Sequence, residues 1–491
     1  MDTMMHDDCV MINLQALDIN KKTHSIQNQP KSANPADAQQ TGPDSALNSL
    51  LATLPSLGQA LHSKEPLQQM MAVQKVRQIL SYEGQVSSVI SEVINAGVVP
   101  CLIEMLQRND AQELQFEAAW ALTNIASDSS EHTTWLVGQG VVPIFVGLLG
   151  SSSASVTEQA VWGLSNIAGD STHMRDVVLS SQGAFQSIIQ LLNTPSLSSS
   201  LRENLAWALS NLLRGTPHPP QHFVEAAIPT LRALIDVDTT ASGSGMVDAL
   251  WALSYCTDGE NDRIEVVVRA GVIPQLVFHL SSPDENVLLP ALRCIGHIAT
   301  GSEQQTAALL TTNLLQQLTQ LVAAPHVPGK EPPSDTILKE CCWTLSNISA
   351  GTTAQIQQLI SSGVFPHVVS LTASSTLKVR KEALWCICNV LSGGTEEHVR
   401  YLIEELGSLS VLAKVIDPAQ EPELLVVALD GVQIVLNNGE TFKALHSLNV
   451  NPYHAMLNNT GVAAAIQAVA ATPSASAARD VAQGILAMAS S

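Results

Sequence analysis

The sequence predicts an all-α chain, a right-handed superhelical solenoid of stacked helical repeats. Three observations carry that prediction. A tryptophan-centred motif returns at nearly even spacing, a Gly-Val-Val-Pro-like signal keeps step with it, and the composition is 45% apolar but only 4% aromatic. Such a mix suits helices packed through small aliphatic side chains. At 491 residues the chain exceeds one ordinary compact core, which calls for repeats or several domains.

The tryptophan slot falls at Trp120, Trp162, Trp207, Trp251, Arg293, Trp343 and Trp385, at intervals of 42, 45, 44, 42, 50 and 42. The long interval contains AAPHVPGKEPPS, 323–334, whose Pro and Gly predict a loop insertion. The second signal reads AGVVP at 96–100, QGVVP at 139–143, AGVIP at 270–274 and SGVFP at 362–366. Gly ends one helix there and Pro opens the next. This period suits armadillo or HEAT units, each burying its apolar face only against its neighbours, and predicts about nine to ten armadillo repeats.

In chain order, residues 1–48 are rich in Gln, Asn, Ser, Asp and Pro, lack periodicity and read as disordered. The solenoid is expected over 49–455, with an imperfect first unit at 50–93. Within it Leu201, Leu205, Ala208, Leu209 and Leu212 form an apolar stripe, while Asn204, Trp207 and Asn211 fall on a different side. The pattern continues over 406–440, where Asp430 and Ile434 take the Trp and Asn slots. Residues 456–491 resemble closing helices.

Composition narrows the function. A net charge of −21 argues against a nucleic-acid partner and favours a basic one. The eight cysteines, at 9, 101, 256, 294, 341, 342, 386 and 388, include no Cys-x-x-Cys pair, and no His cluster has zinc spacing. No metal or cofactor is expected, and free thiols fit a reducing compartment. Neither a secretory signal nor an apolar run of transmembrane length is found, so no membrane partner is expected. Catalytic patterns are missing too: Ser-x-x-Lys in SSTLK, 374–378, is common by chance, and GSG at 243–245 is a loop. His132, His173 and His297 have no evident relay partners. The chain is read as a binding protein, not an enzyme.

Four residues after the slot stand Asn124, Asn166, Asn211, Tyr255, His297, Asn347 and Asn389. Three residues before it stand Glu117, Gln159, Asn204, Asp248, Pro290, Glu340 and Glu382. These spacings form one helical stripe. One Trp in a helix is ordinarily core and one Asn ordinarily bonds locally. Packing does not require the pair in five repeats. An array of open amides fits a peptide backbone, adjacent indoles fit long aliphatic stems and cationic heads, and acids fit the tips. The ligand this predicts is a short extended segment rich in Lys and Arg.

The motifs FEAAWALTNIAS, EQAVWGLSNIAGD, LAWALSNLLR, DALWALSYCTDG, KECCWTLSNISAG and KEALWCICNVLSGG resemble, in order, successive repeats of the importin-α (karyopherin-α) family over about residues 85–440. The resemblance implies an adaptor that binds nuclear localisation signals and moves between cytoplasm and nucleus. It implies a larger signal-binding patch of Trp120, Asn124, Thr133, Gln159, Trp162, Asn166, Asp170, Trp207 and Asn211, in which Asp170 grips a key lysine. It implies a smaller patch of Arg293, Thr306, Glu340, Trp343, Asn347, Glu382, Trp385 and Asn389. Asp128 departs from the family, standing where many members carry Gly, and His297 stands where Asn is typical. Members usually begin with a basic segment that recruits importin-β; residues 1–60 hold three lysines, six aspartates and no arginine. Importin-β recruitment is therefore in question, and an export receptor is implied by resemblance alone. The alternatives are an armadillo scaffold of another kind, or a paralogue that sequesters signals without recruiting importin-β.

Overall fold

The computed structural model describes residues 49–81, 86–236, 243, 245–323, 332–374, 376–472 and 476–489. The expected disordered segment 1–48 and most of the 323–334 insertion lie outside these residues. Within them every regular element is a helix.

Nine of the described helices carry the tryptophan slot or its counterpart: α1 (Pro66–Leu80), α2 (Gln112–Ala126), α3 (Ala154–Asp170), α4 (Ser199–Leu213), α5 (Met246–Thr257), α6 (Glu285–Ala299), α7 (Asp335–Ser349), α8 (Leu377–Gly393) and α9 (Pro422–Leu445). The chain divides into two compact units, Met1–Tyr255 and Cys256–Ser491. In the first, α1 packs on α2, α2 on α3 and α3 on α4. In the second, α6 packs on α7, α7 on α8 and α8 on α9. Each unit is thus a stack in which a repeat buries its apolar stripe against the next, the solenoid expected from the spacing. Leu201, Leu205, Ala208, Leu209 and Leu212 of α4 are all buried, as their register requires.

The shorter helices between follow local chemistry. Gly97, Gly140, Gly271 and Gly363 have φ of +71°, +78°, +70° and +74°, the left-handed conformation that ends a helix cheaply only at Gly. A proline follows in the first turn of the next helix in each case, at positions 100, 143, 274 and 366. The helices Ser130–Gly138, Thr172–Ser180, Glu303–Leu310 and Thr353–Ser361 open on Ser129, Ser171, Ser302 and Thr352, whose side chains accept a backbone N–H. At the C-terminal end, Val462–Ala471 and Ser476–Ala489 pack on each other, and the latter packs on α9.

The seven described cysteines are free and buried. Burial pushes the Cys256 and Cys294 thiols up to about 12, which makes them inert packing groups. No single described helix is long and apolar enough to cross a membrane.

Candidate functional site

In the first unit, α2 carries Glu117, Trp120 and Asn124, α3 carries Gln159, Trp162, Asn166 and Asp170, and α4 carries Asn204, Trp207 and Asn211. Trp120 and Trp162 are half-buried, leaving indole surface for a ligand. The expected array of open amides is corrected here. Asn124, Asn166 and Asn211 are 5%, 0% and 3% exposed. The reason is visible for two of them. Asn124 Nδ2 donates to Ser81 Oγ at 2.8 Å, and Asn211 Nδ2 donates to the Ser165 carbonyl at 3.1 Å. These amides clip neighbouring repeats together. Trp207 also departs from the expected open indole: it is 1% exposed and packs edge-on to Trp162, ring centroids 6.4 Å apart at 76°. It is a core residue that supports Trp162.

Thr133 and Gln159 are buried as well. Thr133 Oγ1 lies 3.2 Å from the Ala126 carbonyl and 3.0 Å from that of Ser129, bracing the turn after α2. Asp170, at the end of α3, is half-buried and accepts from Ser130 Oγ at 2.8 Å.

One residue beside this stripe carries no tryptophan motif. Arg77 of α1 stands 43 residues before Trp120, in the register of the tryptophan slot. Its guanidinium lies 4.0 Å from the Trp120 ring centroid, and its Nε pairs with Glu117, which also accepts from Gln74 at 3.2 Å. The protein's own cation thus covers one face of Trp120. Extending the period one step upstream would have found it, because Arg293 fills the slot in the same way in the second unit.

Asp128 and His132 form a second feature the sequence did not reveal. His132 Nδ1 is 2.6 Å from Asp128 Oδ2, and its Nε2 is 2.9 Å from Ser91 Oγ. Ser87 Oγ donates to Asp128 at 2.8 and 3.0 Å. His132 therefore does have relay partners, contrary to expectation. Ser91 Oγ is also 3.0 Å from the Ser87 carbonyl of its own helix, so the hydroxyl is held as part of a clip joining Val86–Asn95 to the Asp128 turn. Burial would raise the Asp128 pKa, but the Ser129 N–H, His132 and Ser87 outweigh it and hold it below the usual carboxylate value.

In the second unit the stripe is more open. Arg293, Trp343, Asn347, Glu382, Trp385 and Asn389 are half-buried, whereas Glu340 and Thr306 are buried. Arg293 Nη2 pairs with Glu340 Oε1 at 2.6 Å, the counterpart of Arg77 with Glu117. Lys339 Nζ lies 5.4 Å from the Trp343 ring centroid and 3.3 Å from Glu340 Oε1. Asn389 Nδ2 donates to the Ser346 carbonyl at 2.9 Å, repeating the clip of Asn211. His297 holds the corresponding position in α6. Its Nδ1 is 3.3 Å from Thr257 Oγ1, and its ring meets Trp343 edge-on at 5.6 Å.

Stacked helices with indole, amide and acid in register define an armadillo-repeat binding protein. Residues 87–127, 129–169, 171–214, 260–300 and 352–392 match the Armadillo/beta-catenin-like repeat family. An engineered protein of known crystal structure aligns with a TM-score of 0.75 at 24% identity, over 89% of this chain and 99% of that one, and supports the fold alone. The sequence comparisons are more specific. The chain is 42% identical to importin subunit alpha-1b of Oryza sativa subsp. japonica, over 84% of this chain and 75% of that protein. It is 40% identical to importin subunit alpha-4 of Arabidopsis thaliana, over 84% and 74%. The chain belongs to the importin-α family.

Proposed function

We propose that the chain binds Lys- and Arg-rich nuclear localisation signals as extended peptides and serves as an adaptor for protein import into the nucleus. The observation that carries this reading is the recurrence of half-exposed indoles on adjacent helices: Trp120 and Trp162 in one unit, Trp343 and Trp385 in the other. Acids share the stripe, and adjacent helices at 8–10 Å give about three extended residues per repeat. Within the first groove, Arg77 covers one face of Trp120, and the half-buried Trp162 and Asp170 are the groups proposed to meet a ligand cation. Within the second, Trp343 and Trp385 offer indole surface and Asn347 and Asn389 offer amides.

Membership of the importin-α family favours the adaptor over an armadillo scaffold of another kind or a sequestering paralogue. Family resemblance adds an export receptor as a proposed partner, and cytoplasm and nucleus as the proposed locations. Residues 456–491 are proposed to close the array after a solenoid over 49–455. We read the protein as a non-enzyme, because the Ser91–His132–Asp128 contacts bind one helix to the next turn.

The test is titration of a labelled Lys-rich peptide and of its citrulline- and glutamine-substituted analogue, which keeps length but removes charge. Binding of the basic peptide that fails for the neutral one, and weakens in Trp162→Ala and Trp343→Ala, supports the reading. Equal binding of both peptides overturns it.

A further inference from the structure

One turn before the slot, some helices carry a polar side chain that ties them to the next repeat. On α3, Glu158 accepts from Ser200 and from Asn204 Nδ2, the latter at 2.9 Å. On α8, Lys381 Nζ pairs with Glu423 Oε2 of α9 at 2.8 Å. The same position on α2 holds Phe116, and none of the other slot-bearing helices has an aromatic residue there. A phenyl ring can make no such tie. It meets Trp120 edge-on instead, ring centroids 5.7 Å apart at 62°. Gln112 Nε2, one turn further back, donates to Ser152 Oγ just before α3, at 2.6 Å.

Beside Phe116 the repeats leave a cavity of about 250 Å³, lined by Met70 and Gln74 of α1, Glu113, Phe116 and Glu117 of α2, and Ser155 of α3. Met70, Gln74 and Phe116 are half-buried and Glu113 and Ser155 exposed, so the cavity reaches the surface. Outside it, Leu67 and Met71 of α1 are 72% and 61% exposed. Leu67 lies three residues before Met70, and Met71 three before Gln74, so the four share one face of α1. Exposed apolar side chains thus continue the wall of a cavity that already holds a ring and a thioether.

The groove indicates what covers them. Glu117 lines the cavity and also pairs with Arg77, whose guanidinium lies over Trp120. The cavity therefore continues the first groove past Trp120. Its volume is below the roughly 300 Å³ at which small-molecule pockets begin, and suits one side chain of a longer ligand. Met70 and Phe116 favour an aromatic or branched aliphatic group, which a thioether meets well. Glu113 and Glu117 disfavour an acidic one.

We propose that this cavity, with Leu67 and Met71 at its rim, is an apolar anchor site for a residue that flanks the basic core of the bound peptide. The inference rests on the proposed binding of basic peptides in the first groove, and it adds a class of flanking residue to the ligand. That residue lies within about three positions of the one at Trp120, the span of one repeat.

The test uses the full chain with Trp343→Ala, so that binding reports on the first groove. A labelled peptide with a Lys-rich core and alanine flanks is compared with versions carrying a single Phe, Leu or Asp at each flanking position. At one position Phe or Leu should tighten binding about 5- to 30-fold over Ala, as partial burial of one large apolar side chain requires, and Asp should weaken it. Within a Met70→Gln chain, and within a Leu67→Gln, Met71→Gln chain, the ratio of Phe to Ala peptide should fall to within about twofold. The second pair changes only exposed side chains, so it keeps the test valid if Met70→Gln disturbs folding. If Trp162→Ala weakens the Ala-flanked peptide but no flank gains from Phe or Leu, or the gain survives in both variants, the anchor site is wrong while the groove stands. If sedimentation shows a dimer that Leu67→Gln and Met71→Gln dissolve, the face belongs to a second copy and the anchor site is likewise overturned. If Trp162→Ala leaves affinity unchanged, the inference falls with the reading of the first groove.

Discussion

Trp162 and Trp207 occupy the same slot of successive repeats, yet the structure gives them different jobs, and a paired substitution separates them. Trp162 is half-buried; Trp207 is 1% exposed and packs edge-on against it. Replacing Trp162 with Ala removes one cation–π contact, about 0.5 to 2 kcal/mol. It also uncovers a lysine stem; roughly 40 Å² of apolar surface at about 25 cal/mol per Å² adds about 1 kcal/mol. The sum, about 1.5 to 3 kcal/mol, corresponds to roughly a 10- to 150-fold loss of affinity. Trp207→Ala instead empties a packed site, at about 3 to 5 kcal/mol of stability. The assay is fluorescence anisotropy of a labelled Lys-rich peptide, in a Trp343→Ala background that silences the second groove, alongside urea unfolding followed by far-ultraviolet circular dichroism. Trp162→Ala should shift Kd more than the unfolding midpoint, and Trp207→Ala the reverse. A Trp207→Ala chain of undiminished stability that binds as poorly as Trp162→Ala would refute the assignment of Trp207 to the core.

Arg77→Met should destabilise the first unit by about 3 to 5 kcal/mol, because Glu117 is left as a buried carboxylate with only Gln74 to bind it. Adding Glu117→Gln should recover most of that loss in the same urea assay. Asp128→Asn tests the Ser87–Asp128–His132 clip. The folded pKa of Asp128 lies below its unfolded value, so its contribution is present above the unfolded pKa and lost as pH falls through the folded one. The stability gap between wild type and Asp128→Asn, read from melts at a series of pH values, should therefore close on the acid side.

What the sequence revealed follows the range of the forces involved. The Gly–Pro signal was legible because a left-handed turn and a fixed φ are properties of one or two residues, and Gly97, Gly140, Gly271 and Gly363 behave alike. The in-register stripe was legible because helical geometry converts spacing into a face. Exposure along that stripe was not. Trp120 and Trp207 read identically, and only the neighbour each meets decides which is covered. Arg77 was hidden because its slot holds a cation in place of the indole that marks the register. The asparagine clips were hidden for a further reason: for Asn211 and Asn389 the acceptor is a backbone carbonyl on the preceding repeat, and a carbonyl leaves no trace in residue type.

Those clips also explain how a clipped amide can belong to a binding surface. An Asn side chain has two N–H donors and one acceptor oxygen. Asn389 spends one N–H on the Ser346 carbonyl, the residue just before Asn347, and keeps a donor and an acceptor for a peptide backbone. By the same register Asn347 should clip to the carbonyl of Gly296, just before His297. There the absence of a side chain admits the Trp343 ring, whose Cζ3 and Cε3 would stand 2.4 and 2.7 Å from a Cβ. Among the described residues, none meets the buried Nδ2 of Asn347. An unmet buried donor costs about 1 to 3 kcal/mol, and a ligand carbonyl that met it would return that energy as affinity. Asn389→Ala should therefore lower stability and affinity together. Asn347→Ala should leave the unfolding midpoint unchanged or higher while still weakening peptide binding by about tenfold, one hydrogen bond's worth at a buried site. Equal destabilisation by both substitutions would mean that Asn347 is clipped like its neighbour.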